Sequence, residues 1–149
     1  MKHLRTAARM AFGLVFIAAS LHKIYDPQAF AADIFNYRLF PDQLVNPLAL
    51  FVPWLELAGG TCLVLGRWSL GAAGLLTGLM AAFMLGLGYN WFRGLDVACG
   101  CFVSGGQGHG SPAMALLRDA GFLLLGLLAL AGELRASGPA SDDLQPPAP

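Results

Sequence analysis

Apolar residues run in four long stretches along this chain, and polar residues gather between them. The pattern predicts four membrane-spanning helices, because about 20 apolar residues in a helix cross a hydrocarbon layer of about 30 Å. The third stretch, residues 70–92, is the cleanest, with no charged side chain anywhere in 68–92. The first, residues 7–24, has an apolar core of 13 residues between Arg9 and Lys23. Both side chains would therefore have to run along the helix toward headgroups. The second, residues 44–66, carries Pro53 and Glu56, and the fourth, residues 112–132, carries Arg118 and Asp119 near its start. Ser111-Pro112 offers an N-cap followed by proline at the first helical position, which is a helix-start signal. On the third stretch Gly74, Gly78, Ala82 and Gly86 recur every four residues, a spacing that predicts a close helix–helix contact.

Between the first two stretches, Phe30, Ile34 and Tyr37 alternate with Asp33, Arg38 and Asp42 at helical spacing. This predicts a short amphipathic helix in the membrane interface, its aromatic side toward lipid and its charges toward water, with a plain extracellular loop as the alternative. Residues 136–149 combine much proline with little apolar content and are expected to be a disordered tail. The expected fold is all-α: one domain over residues 1–135, a four-transmembrane-helix bundle with a short interfacial helix between spans one and two.

Composition agrees with that class. Hydrophobic residues make up 56% of the chain and charged residues 12%, against roughly 25% charged in ordinary soluble domains. The lipid bilayer is the first partner this implies. With a net charge of zero and no basic run to neutralise a row of phosphates, nucleic acid is set aside. The basic start (Lys2, Arg5, Arg9) and Ala18-Ala19-Ser20 also resemble a secretory signal peptide. Retention as the first span is the expectation, since removal would leave an odd number of spans. Lysine and arginine counts favour the N-terminal side as cytoplasmic by five to four, and the N-terminal cluster decides it. Both termini are then cytoplasmic, in the inner membrane of a bacterium. The loop between spans three and four faces the oxidising periplasm.

That loop holds the candidate chemistry, Cys99-Gly100-Cys101. Cysteines at i and i+2 can come within disulfide reach in a strained, easily reduced ring, and glycine tolerates the backbone angles this needs. A redox dithiol beside a helix N-terminus, whose dipole favours thiolate, is the preferred reading. A metal or scaffolding module using Cys99, Cys101 and His109 is the second, and a structural disulfide the third. Cys62, toward the inner end of the second span, is expected to be a small apolar filler. In an up-and-down bundle Lys23, Arg93, Asp96 and Arg118 share the side of Cys99 and Cys101 as supporting polar residues. Glu56, about ten residues inside its span, lies near mid-bilayer, where an ionisable group costs at least a few kcal/mol unless paired. Lys23 or Arg118 would relieve that cost. No nucleotide loop, catalytic triad or haem motif is present, so no cofactor of its own is expected.

Three segments carry a resemblance to a known family: Gly13 to Pro41 (GLVFIAASLHKIYDPQAFAADIFNYRLFP), Pro53 to Gly60 (PWLELAGG) and Arg93 to Phe102 (RGLDVACGCF). The chain resembles the MauE branch of the DoxX-like membrane proteins. Lys23 and Glu56 match the wider group, while Asp96 followed by Cys99-Gly100-Cys101-Phe102 matches the branch. The resemblance implies a role in maturing a periplasmic client, the disulfide-dense small (beta) subunit of methylamine dehydrogenase. It makes Cys99 and Cys101 the exchanging pair, with a quinone or a thioredoxin-like protein as electron partner. After Phe102 the segment VSGGQGHGS departs from the shorter turn of some relatives.

Overall fold

The computed structural model describes residues 2–94 and 112–137. Among these residues the chain forms five helices: α1 (Lys2–Tyr25), α2 (Pro27–Asn36), α3 (Asp42–Leu65), α4 (Ser69–Phe92) and α5 (Pro112–Ser137). Three are long and apolar enough to cross a bilayer, over Arg5–Tyr25, Asp42–Leu65 and Ser69–Phe92. α5 covers the expected fourth stretch but carries Arg118, Asp119, Glu133 and Arg135, and it is not among those three.

Local chemistry sets the helix ends. Asp26 caps α2, its carboxylate accepting from the Ala29 N–H at 3.0 Å, and Pro27 fills the first turn. α3 stops at Gly66, which is left-handed at φ 72°, and the Arg67 N–H reaches back to the Cys62 carbonyl at 3.1 Å. This six-to-one closure is favoured by glycine, because a Cβ opposes the left-handed backbone. Trp68 is also left-handed, and α4 leaves antiparallel to α3 after a three-residue turn.

α1 packs chiefly on α3, and α5 packs on α4 and α1. One end of the bundle therefore holds Arg5, the 66–68 turn and Glu133; the other holds Tyr25, α2, Asp42, Phe92 and the start of α5. Phe12, Phe16, Leu63, Leu76, Met80 and Ala129 form the main apolar cluster, with Cys62 half-buried against it. Phe12 and Phe16 meet edge to face, centroids 4.9 Å apart. A second cluster joins Phe30 and Ile34 of α2 to Val45, Ala49 and Val52 of α3, with Phe83 against it.

Two expectations change here. α2 is a helix as predicted, but Phe30, Ile34 and Tyr37 are buried inside the protein instead of facing lipid. The groove between α3 and α4 offers them protein contacts, and the Tyr37 ring lies on Gly86, where a Cβ would come within 2.9 Å of it. The glycine stripe on α4 is likewise not a helix–helix contact along its length. Among the described residues a Cβ on Gly74 or Gly78 would meet nothing within 4 Å, and of the stripe's glycines Gly86 alone is packed. The close approach lies between α1 and α3, where a Cβ on Gly13 would sit 2.9 Å from the Gly60 carbonyl and a Cβ on Gly60 would sit 2.8 Å from the Gly13 carbonyl.

These contacts predict opposite outcomes for one kind of substitution. Gly60→Ala should lower the unfolding midpoint in detergent micelles, because backbone must move to admit the methyl, at a cost of about 1 to 3 kcal/mol. Gly78→Ala should leave it unchanged or raise it by up to about 1 kcal/mol, since alanine favours helix and the space is open.

Candidate functional site

Lys23 stands in the last turn of α1 and Glu56 in the middle of α3. The crossing at Gly13 and Gly60 sets their relative heights: Lys23 lies ten residues up α1 from it and Glu56 four residues up α3, an offset of roughly 9 Å along the axis. Side chains on a helix lean toward its N-terminus. α1 and α3 run oppositely, so Lys23 leans down the bundle, Glu56 leans up, and the two converge. The Lys23 ammonium donates to both carboxylate oxygens, at 2.7 and 2.8 Å. Their side chains are 2% and 1% exposed.

Lys23 therefore does not run out to headgroups as its position near a helix end suggested. The ammonium also sits over two aromatic rings, 4.9 Å from the centroid of Phe30 and 5.2 Å from that of Phe83. Ring faces attract a cation, more strongly when water is excluded. The pair thus occupies the junction of the two apolar clusters, with Phe16 and Met80 on one side and Phe30 and Phe83 on the other. A small cleft of about 10 Å³ beside it has apolar walls from Phe16, Met80, Phe83 and Phe122. Chemically this is a paired charge in an otherwise apolar cleft, with an ammonium donor and a carboxylate acceptor facing a space that is almost wholly hydrocarbon.

The other expected site residues divide. Arg118 does not pair with Glu56; its Nε donates to Asp119 at 3.1 Å, and Asp119 is completely buried. Arg93 follows the last turn of α4, its guanidinium 5.4 Å from the centre of the Tyr89 ring. Asp96, Cys99, Cys101 and His109 lie outside the described residues, as does Ser111. Among the described residues no group of three or more His, Cys, Asp or Glu side chains could hold a metal ion.

Sequence reasoning missed two features, a pair of rings and an amide. Phe30 and Phe83 are ordinary apolar positions in a linear reading, and only the fold turns them toward one ammonium. Asn90 is the second: it is fully buried, and its amide donates to the Tyr37 and Gly86 carbonyls, both at 3.1 Å. It thereby ties the end of α2 to α4. Its signal was available, as a lone side-chain amide near the end of an uncharged helix.

Removing one member of a buried ion pair strands the other, at about 3 to 5 kcal/mol, whereas removing both is far cheaper. Lys23→Met and Glu56→Leu should each lower stability strongly, and the double variant should recover much of the loss. Unfolding curves of the four proteins in one detergent would show this. Simple addition of the two single effects would argue against coupling.

The family profile of methylamine utilisation protein MauE matches residues 1–132. Among curated proteins, the methylamine utilization protein MauE of Paracoccus denitrificans is 34% identical over 137 residues, covering 91% of this chain and 72% of the relative. That of Methylorubrum extorquens is 36% identical over 101 residues, 67% of this chain and 54% of the relative. That of Paracoccus versutus is 31% identical over 137 residues, 90% of this chain and 73% of the relative. The chain thus spans about half to three quarters of the length of these relatives. No solved structure matches it.

Proposed function

The chain belongs to the MauE family of methylamine utilisation proteins, and on that premise we propose that it is a membrane-embedded thiol-redox accessory that supports disulfide formation in a periplasmic client. The candidate client is the small subunit of methylamine dehydrogenase. The observation that carries this reading is the family match over residues 1–132, which includes the stretch with Cys99 and Cys101.

In this reading residues 1–135 form one four-span domain in the bacterial inner membrane, with both termini cytoplasmic. α5 is the fourth span. Arg118 and Asp119 enter it as a pair, and Glu133 accepts a hydrogen bond from Ser69, so three of its four charged side chains have partners. α2 lies at the periplasmic interface with its inner side packed on α3. Gly94 and Pro112, which bracket the Cys-Gly-Cys segment, belong to the same end of the bundle as α2, and that end is the periplasmic one.

The exchange step balances as a transfer of two electrons and two protons. A client thiolate attacks the Cys99–Cys101 disulfide to form a mixed disulfide and release one cysteine as thiolate. The client's second thiolate then displaces the other cysteine, leaving the client oxidised and the pair reduced. A quinone or a thioredoxin-like disulfide reoxidises the pair by accepting the same two electrons and two protons. Lys23 and Glu56 support the step from below by locking α1 to α3, and Arg93, Asp96 and Arg118 tune the electrostatics around the thiols.

Trapping free thiols with an alkylating reagent in intact cells tests the proposal. Cys99 and Cys101 should shift between blocked and reactive states as the redox condition changes, and Cys99→Ser and Cys101→Ser should abolish disulfide formation in the client. Thiols that stay reactive under every condition, in variants that still mature the client, would sink the redox reading.

A further inference from the structure

The end of the bundle opposite α2 carries a different charge pattern. Arg5 and Arg9 lie one turn apart on α1, Arg67 is in the α3–α4 turn, and Arg135 is in the last turn of α5. Glu133 is the one acidic side chain that the described residues place among them. It is already engaged, accepting from the Ser69 hydroxyl and lying 3.8 Å from the Arg5 guanidinium. No carboxylate of the described residues forms an ion pair with Arg9, Arg67 or Arg135.

Arg9 is held in a particular seat. Its guanidinium lies against Gly66, 2.8 Å from where a Cβ would be, and its Nε is buried with no hydrogen-bond partner. Gly66 is thus needed twice, for the left-handed turn and for the space that admits Arg9. A half-buried guanidinium with an unpartnered Nε–H, seated against the turn that carries the exposed Arg67, is an incomplete arrangement. Planar guanidinium groups bind phosphate through paired N–H donors. The turn also lies just beyond the ends of two candidate spans, Leu65 and Ser69, which is headgroup depth. The neighbouring Trp68 is almost fully exposed, and tryptophan favours that layer.

We infer that Arg9 and Arg67 form a binding site for the phosphate of an anionic phospholipid, with Arg135 adding charge and Trp68 anchoring the turn at headgroup level. Basic pockets between spans bind such headgroups by this chemistry. The opposite end differs in its acids: there Glu56 pairs with Lys23 and Asp119 with Arg118, and Asp26, Asp33 and Asp42 stand on the same side as Arg38 and Arg93.

The test uses the full chain in dodecyl maltoside micelles, mixed with phosphatidylglycerol or phosphatidylcholine and weighed by native mass spectrometry. The wild type should retain phosphatidylglycerol in preference to phosphatidylcholine. Arg9→Gln and Arg67→Gln should each cut that retention several-fold, Arg9→Lys should keep part of it, and Arg38→Gln, at the other end, should leave it unchanged. Arg67 is exposed on a turn, so its variant reads the site even if an Arg9 variant fails to fold. Equal retention of the two lipids, or undiminished retention by Arg67→Gln, would overturn the inference. Displacement of the lipid by millimolar inorganic phosphate would also overturn it, by showing a site for free phosphate.

Discussion

The interaction on which the rest of this bundle depends is the contact of one ammonium with one carboxylate in a place where neither could stay alone. Lys23 and Glu56 are nearly inaccessible to solvent, and an isolated charge at such a site is costly enough to be rare. Their presence dictates the arrangement around them. α1 and α3 must approach closely, which the glycines at positions 13 and 60 permit. They must also run antiparallel, so that the two side chains lean into each other. The rings of Phe30 and Phe83 complete the shell, and that requires α2 to fold back against α3 and α4.

A buried ion pair is weak evidence for stability, since well-packed apolar residues often do as well. Its better-attested use is specificity. An apolar contact tolerates sliding by a turn, but a lysine that reaches its carboxylate only at one register does not. In a bundle whose other interhelical contacts are mostly hydrocarbon on hydrocarbon, this pair together with the Asn90 bridge to Tyr37 and Gly86 fixes the relative heights of α1, α3, α4 and the end of α2. Rigid positioning of that end matters for the proposed chemistry, because thiol exchange demands that the attacking and leaving sulfurs meet along a defined line.

The bundle is polar in its charge distribution as well. At one end arginines outnumber acids, and at the other Asp26, Asp33, Asp42 and Asp119 join Glu56, so that acids are at least as many as the cations there. Counting lysines and arginines alone gives nearly equal totals for the two sides. Counting the acids as well reveals the asymmetry, which is why a count of cations alone understated it.

Helix identity was legible in the chain, because apolar length and helical spacing are local signals. So was the need for Glu56 to have a partner, since burial of a charge follows from its place in an apolar run. The membership of the chain in its family was legible too, in segments that retain their residues in order. What the sequence left open was direction. Whether Lys23 turns outward or inward, whether Phe30 and Ile34 meet lipid or protein, and which glycines touch another helix are set by the helix on the other side. Every one of those side chains has the same local propensities in either case. Tertiary packing decided them, because an apolar surface gains similarly from lipid or protein neighbours while a charge gains only from its counter-ion, and the counter-ion lies 33 residues away along the chain.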